Sequence, residues 1–152
     1  MRPDPAKAAQ AYESLLVLRP TQYAALNNLA LIYADRRDFT GAEQLLRRSI
    51  ASNPGLALTS YGNLIVYQAE QGQIAAMDST LAAELKVSGN NPRVAIARAT
   101  ILFSRQQHDS AVLIADSLAK ANPNDEFLAT QASASGRTPT WCTGRSMKVC
   151  DS

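Results

Sequence analysis

What this chain has little of narrows its function before any motif is considered. No run approaches the ~18 uninterrupted apolar residues of a membrane span, and the stretch from Met1 to Ala9 lacks the apolar centre of a secretory signal. The chain as given therefore reads as soluble, with no membrane partner. If Met1 heads a fragment of a longer protein, its compartment stays open. Charge of one sign is also missing: 15 Lys and Arg against 13 Asp and Glu leave a net charge of +2. Binding a phosphate backbone demands a concentrated basic surface, so nucleic acid is not an expected partner. Histidine occurs once, at His108, which reads as an exposed turn residue without the Cys or His companions of a metal site. The GxGxxG, P-loop, HExxH and GxSxG patterns are absent and the carboxylates are scattered over outward helix faces. Neither an enzyme, nor a cofactor, nor a metal is expected.

What is present is a period. The 152 residues are 46% hydrophobic and 18% charged, the composition of one core-forming domain. Ala8, Tyr12, Leu16 and Pro20 recur 34 positions on as Ala42, Leu46, Ile50 and Pro54, each set spaced by four as one helix face requires. A second face, Leu26, Leu29, Ala30 and Tyr33, returns as Tyr61, Leu64, Ile65 and Gln68, and again as Ala95, Arg98, Ala99 and Leu102. Ala42 and Leu46 are answered by Met77 and Leu81, then by Ala111 and Ala115. The repeated unit is two helices long. Arg-Pro, Asn-Pro, Asn-Asn-Pro and Asn-Pro, ending at Pro20, Pro54, Pro92 and Pro123, divide the units, and proline suits the first turn of a helix. Asp38 to Gly41, Gly72 and Asp109 mark the tighter turns within them. The spacing predicts helices near 5–19, 22–36, 39–52, 56–71, 74–87, 92–106, 108–121 and 124–134.

This pattern resembles the tetratricopeptide repeat (TPR). The best copy is Thr21 to Pro54, where Leu26, Leu29, Ala30, Tyr33, Phe39, Ala42, Leu46 and Pro54 occupy the family's signature places. The second copy departs with Ile65 and Met77 where small residues are usual, and the third with Arg98 where a buried Leu is typical. Arg98 either snorkels its guanidinium to the surface or pairs with a carboxylate. The resemblance implies an all-α fold, a right-handed α-solenoid of antiparallel helix pairs spanning 1–135. It would comprise an N-terminal half-repeat (5–20), repeats at 21–54, 55–91 and 92–123, and a capping helix at 124–134, before an irregular tail at 136–152. The half-repeat lacks its first helix, so the face carrying Ala8, Tyr12 and Leu15 is expected to be partly bare, as in a fragment of a longer array or at a homodimer contact.

The same resemblance implies a non-catalytic protein-interaction scaffold whose first helices line a concave groove for a peptide or partner helix. That groove would present Asn27, Asn28, Leu31, Asn63, Val66, Arg93, Ile96, Thr100 and Phe103, apolar groups among amides that suit an extended peptide. The clamp with which some relatives hold a C-terminal carboxylate is largely missing. Asn63 and Arg93 match it, but Asn27, Leu31 and Ala97 replace its other members. The alternative is a self-associating array, or a regulatory fragment of a larger signalling or assembly protein such as a bacterial kinase. Arg36–Arg37 and Arg47–Arg48 have Asp35, Asp38 and Glu43 beside them and read as a self-neutralised surface. In the tail, Cys142 and Cys150 either form a disulfide, which would imply an oxidising, extracytoplasmic compartment, or stand as free thiols.

Overall fold

The computed structural model describes residues 4–89, 91–122 and 124, with the side chains of Arg93 and Ala119 left out. Among these residues the chain is all helix and turn: α1 (Pro5–Leu18), α2 (Tyr23–Asp35), α3 (Phe39–Ser52), α4 (Leu58–Glu70), α5 (Ile74–Ser88), α6 (Pro92–Ser104) and α7 (His108–Ala121). Local chemistry explains the starts. Asp4 caps α1 by accepting from the Ala6 N–H at 2.9 Å, with Pro5 in the first turn, and Asp38 caps α3 by accepting from the Gly41 N–H at 2.8 Å. Pro92 opens α6.

The ends of α2, α4 and α6 repeat one backbone motif. Asp38, Gln73 and Gln107 each donate to a carbonyl five residues back, on Tyr33, Gln68 and Leu102, at 3.0, 2.8 and 2.9 Å. Arg37, Gly72 and Gln106, one residue earlier, donate to Ala34, Ala69 and Phe103 and have φ of 66°, 69° and 60°. This is the Schellman arrangement, with a left-handed residue closing the helix. The three left-handed positions are 35 and 34 residues apart, so the sequence period is also a period of backbone conformation. Only Gly72 adopts that φ without steric cost.

Two units divide the chain, Met1–Tyr67 and Gln68–Ser152, the boundary falling inside α4. The first has a core of Ala9, Leu16, Ala25, Leu26, Leu29, Ala30, Ala42, Leu45, Leu46, Leu64 and Tyr67, with Phe39, Tyr33 and Ile50 packed on it. Ala30 and Ala42 are wholly buried, as the small residues of a close crossing between α2 and α3 should be. On the face of α1 expected to be partly bare, Ala8, Tyr12 and Leu15 are half-buried: Tyr12 and Leu15 pack against this core, and the Tyr12 hydroxyl accepts from Asn28 Nδ2 at 3.2 Å. The exposed apolar pair on α1 is Val17 and Leu18, at 79% and 80% exposure.

In the second unit Ala99, Phe103 and Ala111 form a core between α6 and α7, with Leu102 and Ile114 against it. His108 is the first residue of α7, half-buried and edge-on to Phe103 at 4.4 Å, not the exposed turn residue its sequence context suggested. Arg98 is exposed and makes no ion pair among the described residues, which leaves the snorkelling alternative. Met77 is wholly buried although larger than the family pattern favours, and Gln68, standing where the first repeat has Tyr33, is wholly buried too. Gln68 Oε1 accepts from Thr80 Oγ1 at 3.0 Å. The expected capping helix, Asn124 apart, and the tail with Cys142 and Cys150 lie outside the described residues.

Candidate peptide-binding face

Five of the expected groove residues lie in the first unit, and a hydrogen bond brings Asn27 and Asn63 together. Asn27 and Leu31 are one turn apart on α2, and Asn63 and Val66 lie along one side of α4. A hydrogen-bonded chain joins the two helices. The Ser49 and Ser60 hydroxyls, both buried, are 2.8 Å apart, and Ser49 Oγ also reaches the Tyr23 carbonyl at 3.1 Å. Asn27 Oδ1 accepts from Ser60 Oγ at 3.2 Å and from Asn63 Nδ2 at 3.0 Å. Serines can occupy this seam because each finds a partner there; a buried hydroxyl without one costs about 1–3 kcal/mol.

The amides are half-buried, and Leu31, at 41% exposure, stands free beside them, while Val66 packs partly on the core. Asn28 differs from Asn27 in being turned to α1 through the Tyr12 hydroxyl. Gly62, next to Asn63 in the middle of α4, has nothing within 4 Å of where a Cβ would sit.

The other four expected residues belong to the second unit. The Arg93 side chain lies outside the described residues, and Ile96 is half-buried. Thr100 and Phe103 are corrections: they are 8% and 7% exposed, not open to a ligand. Thr100 Oγ1 donates to the Ile96 carbonyl one turn back, and Phe103 fills the space between Ala99 and Ala111. The reason is local. Ala95, Ala99, Ala111 and Ala115 are too small to fill the α6–α7 interface, so the large ring beside them turns inward to complete it.

The sequence reading missed the serine chain. Its signal was available: Ser49 and Ser60 sit at positions where a helical period demands apolar residues, and two polar breaks facing one another are how a buried network announces itself. The basic pairs read as self-neutralised have partners in part, since Arg47 Nη2 lies 3.4 Å from Glu43 Oε2 and Arg48 Nη2 donates to the Pro20 carbonyl at 3.4 Å. Arg37 lies over the Phe39 ring, 5.6 Å from its centroid. Among the described residues no three His, Cys, Asp or Glu gather as a metal site, and no helix is long and apolar enough to cross a membrane.

Comparison with known proteins agrees with the repeat. Residues 24–53 match the tetratricopeptide-repeat family. A 70-residue stretch is 36% identical to ypp1, a candidate cargo-transport protein of Schizosaccharomyces pombe (strain 972 / ATCC 24843); it covers 46% of this chain and 8% of that protein. The chain thus spans a small part of that relative's length. The two-helix period, the recurring Schellman turns and these matches agree that residues 24–53 form a tetratricopeptide repeat and that the described helices are arranged like such repeats.

Proposed function

We propose that this chain is a non-catalytic scaffold that binds a peptide or partner helix on the α2–α4 face, with Asn27, Leu31, Asn63 and Val66 as the contact residues; Asn28, turned to α1, is not among them. The tetratricopeptide-repeat match over residues 24–53 supports a protein-interaction role in general. The observation that carries the finer reading is the company Leu31 keeps: an exposed leucine beside half-buried amides, where apolar contact and directed hydrogen bonds are available to one occupant. The fungal relative is named for cargo transport and is a far longer protein, of which the match covers 8%. The test is a peptide-array screen of the full chain against a Leu31→Glu/Asn63→Ala variant. Peptides retained by the native chain and lost by the folded variant support this face; the same peptides captured by both would exclude it.

A second reading is self-association through α1, favoured by Val17 and Leu18. Light scattering of the native chain and Val17→Glu/Leu18→Glu decides it: a concentration-dependent dimer abolished by the pair supports it, and a monomer throughout removes it.

A further inference from the structure

One end of the first unit carries a patch that the α2–α4 face does not use. α3 runs back toward the start of α2, since Ser49 Oγ reaches the Tyr23 carbonyl at 3.1 Å and Arg48 Nη2 donates to the Pro20 carbonyl at 3.4 Å. The turn after α1 and the turn after α3 therefore lie at the same end. There Val17, Leu18 and Leu56 are 79%, 80% and 59% exposed, and Arg19, Arg47 and Arg48 are exposed as well. A single exposed leucine is ordinary, but three aliphatic side chains gathered at one end among arginines are not scatter. Ala51, which holds the place of Val17 one repeat later, is exposed too although α1 precedes it, so the position faces outward within the repeat itself.

The charge at this end has one sign. From Ser14 to Ala34 the only charged residue is Arg19, and from Gln44 to Tyr67 the only ones are Arg47 and Arg48. The carboxylates that precede these stretches are engaged: Glu13 accepts from the Tyr33 hydroxyl at 3.5 Å and Glu43 from Arg47 Nη2 at 3.4 Å. Arg19 and Arg48 are the excess, and neither makes an ion pair among the described residues. The bond from Arg48 to the Pro20 carbonyl orients its guanidinium and leaves the other N–H groups of the fork for a further acceptor.

We propose that this end of the first unit docks an acidic, leucine-bearing segment of another protein. Val17, Leu18 and Leu56 take its apolar side chains, and Arg19 and Arg48 take its carboxylates. Arginine matches a carboxylate with two parallel hydrogen bonds, and apolar contact beside such a pair shields it from water. A second copy of this chain fits less well. A two-fold pair would press the patch against itself and bring Arg19 and Arg48 toward their own kind. An anionic lipid surface also fits less well, because the basic clusters that hold one carry about four to eight Lys or Arg. Here there are three arginines, no lysine, and no exposed aromatic side chain to anchor in a headgroup layer. This surface is separate from the α2–α4 face and holds whether or not that face binds; it competes with self-association at the same residues.

The test is fluorescence anisotropy of a fluorescein-labelled Glu-Glu-Leu-Leu-Glu-Glu amide titrated with the full chain. Two control peptides replace every Glu by Gln or every Leu by Gly. Vesicles of equimolar phosphatidylcholine and phosphatidylglycerol are tested by co-sedimentation, and light scattering follows the oligomeric state. The acidic peptide is expected to bind saturably and both controls much more weakly. Arg19→Gln/Arg48→Gln should weaken binding about fivefold, the scale of two exposed ion pairs, and Leu18→Ser/Leu56→Ser by a similar factor. Arg19→Gln alone, which breaks no bond among the described residues, should show about a twofold part of that loss. All three variants should keep the native circular dichroism, and Leu31→Glu/Asn63→Ala should bind the peptide as the native chain does. Equal binding of the Gln peptide, equal binding of the Gly peptide, an undiminished affinity in Arg19→Gln/Arg48→Gln, or no saturable binding overturns the proposal. Loss of binding in Leu31→Glu/Asn63→Ala would move the peptide to the α2–α4 face and overturn it as well. Co-sedimentation with the vesicles that the peptide does not displace overturns it in favour of a membrane surface. A dimer abolished by Val17→Glu/Leu18→Glu and not dissociated by the peptide overturns it in favour of a second copy.

Discussion

Ser49 and Ser60 meet hydroxyl to hydroxyl at 2.8 Å, each essentially without solvent exposure, in a seam that the rest of the first unit fills with Leu and Ala. Removing one costs the other this bond, although Ser49 keeps the Tyr23 carbonyl and Ser60 keeps Asn27 Oδ1. Ser49→Ala or Ser60→Ala should each lower unfolding free energy by about 0.5–1.5 kcal/mol, and the double variant should cost less than the sum, because the bond the two share is lost only once. Urea denaturation of the four proteins of this cycle checks it; strict additivity would show that the hydroxyls do not act together.

Gly41 is a place where a methyl group has no room. A Cβ there would lie 2.6 Å from the Tyr33 ring and 2.6 Å from the carboxylate of Asp38, which is already committed to capping α3. Gly41→Ala should therefore destabilise by about 1–3 kcal/mol through overpacking and loss of the cap, despite alanine's better helix propensity. A thermal melt at or above that of the native chain would disprove this account of the turn.

The left-handed residues that are not glycine offer the opposite change. Gln106 adopts a φ of 60° at an exposed position, and Gln106→Gly should stabilise by up to about 1 kcal/mol, the relief of left-handed strain less the entropy glycine adds to the unfolded chain. Arg37→Gly should gain less, since it also removes the Arg37 guanidinium from over the Phe39 ring. Paired denaturation curves would show the order; equal effects would mean the cation–π contact contributes nothing.

Tyr67 predicts how the chain responds to alkali. Burial, with the Asp35 carboxylate adding to it, raises its hydroxyl from 10.0 to about 12. A pKa raised by folding means stability is fully present below the unfolded value and falls as pH rises from about 10 toward 12, where the unfolded chain gives up its proton first. Tyr67→Phe should flatten that loss, as read from denaturation at several pH values. An unchanged slope would place the sensitivity on another group.

Phe103→Ala separates core from ligand contact. Because the ring fills the α6–α7 core and lies edge-on to His108, its removal should cost about 3–5 kcal/mol of stability in the second unit. Hydrogen exchange of α6 and α7 would register it; unaltered protection with lost peptide binding would return Phe103 to the ligand's side.

The fold was legible from the sequence because each helix carries its own period and punctuation. Leu26, Leu29, Ala30 and Tyr33 repeat with a spacing that only a helix face satisfies, and the prolines and Asp38 stop and start the helices through interactions within a few residues. Such local signals determine which residues become helical and, through the repeat, which elements pair.

What only the tertiary structure decided is the use of each face. Two residues with the same place in the repeat, Leu31 and Val66, differ in exposure, and Phe103, expected beside them in function, is buried. The difference depends on how large the neighbours across the interface are, which a period does not encode. The Asn27–Asn63 bond likewise joins residues 36 apart in the chain. It exists because Ser49 and Ser60 place hydroxyls in the seam and orient Asn27, a condition met only when three helices have already packed.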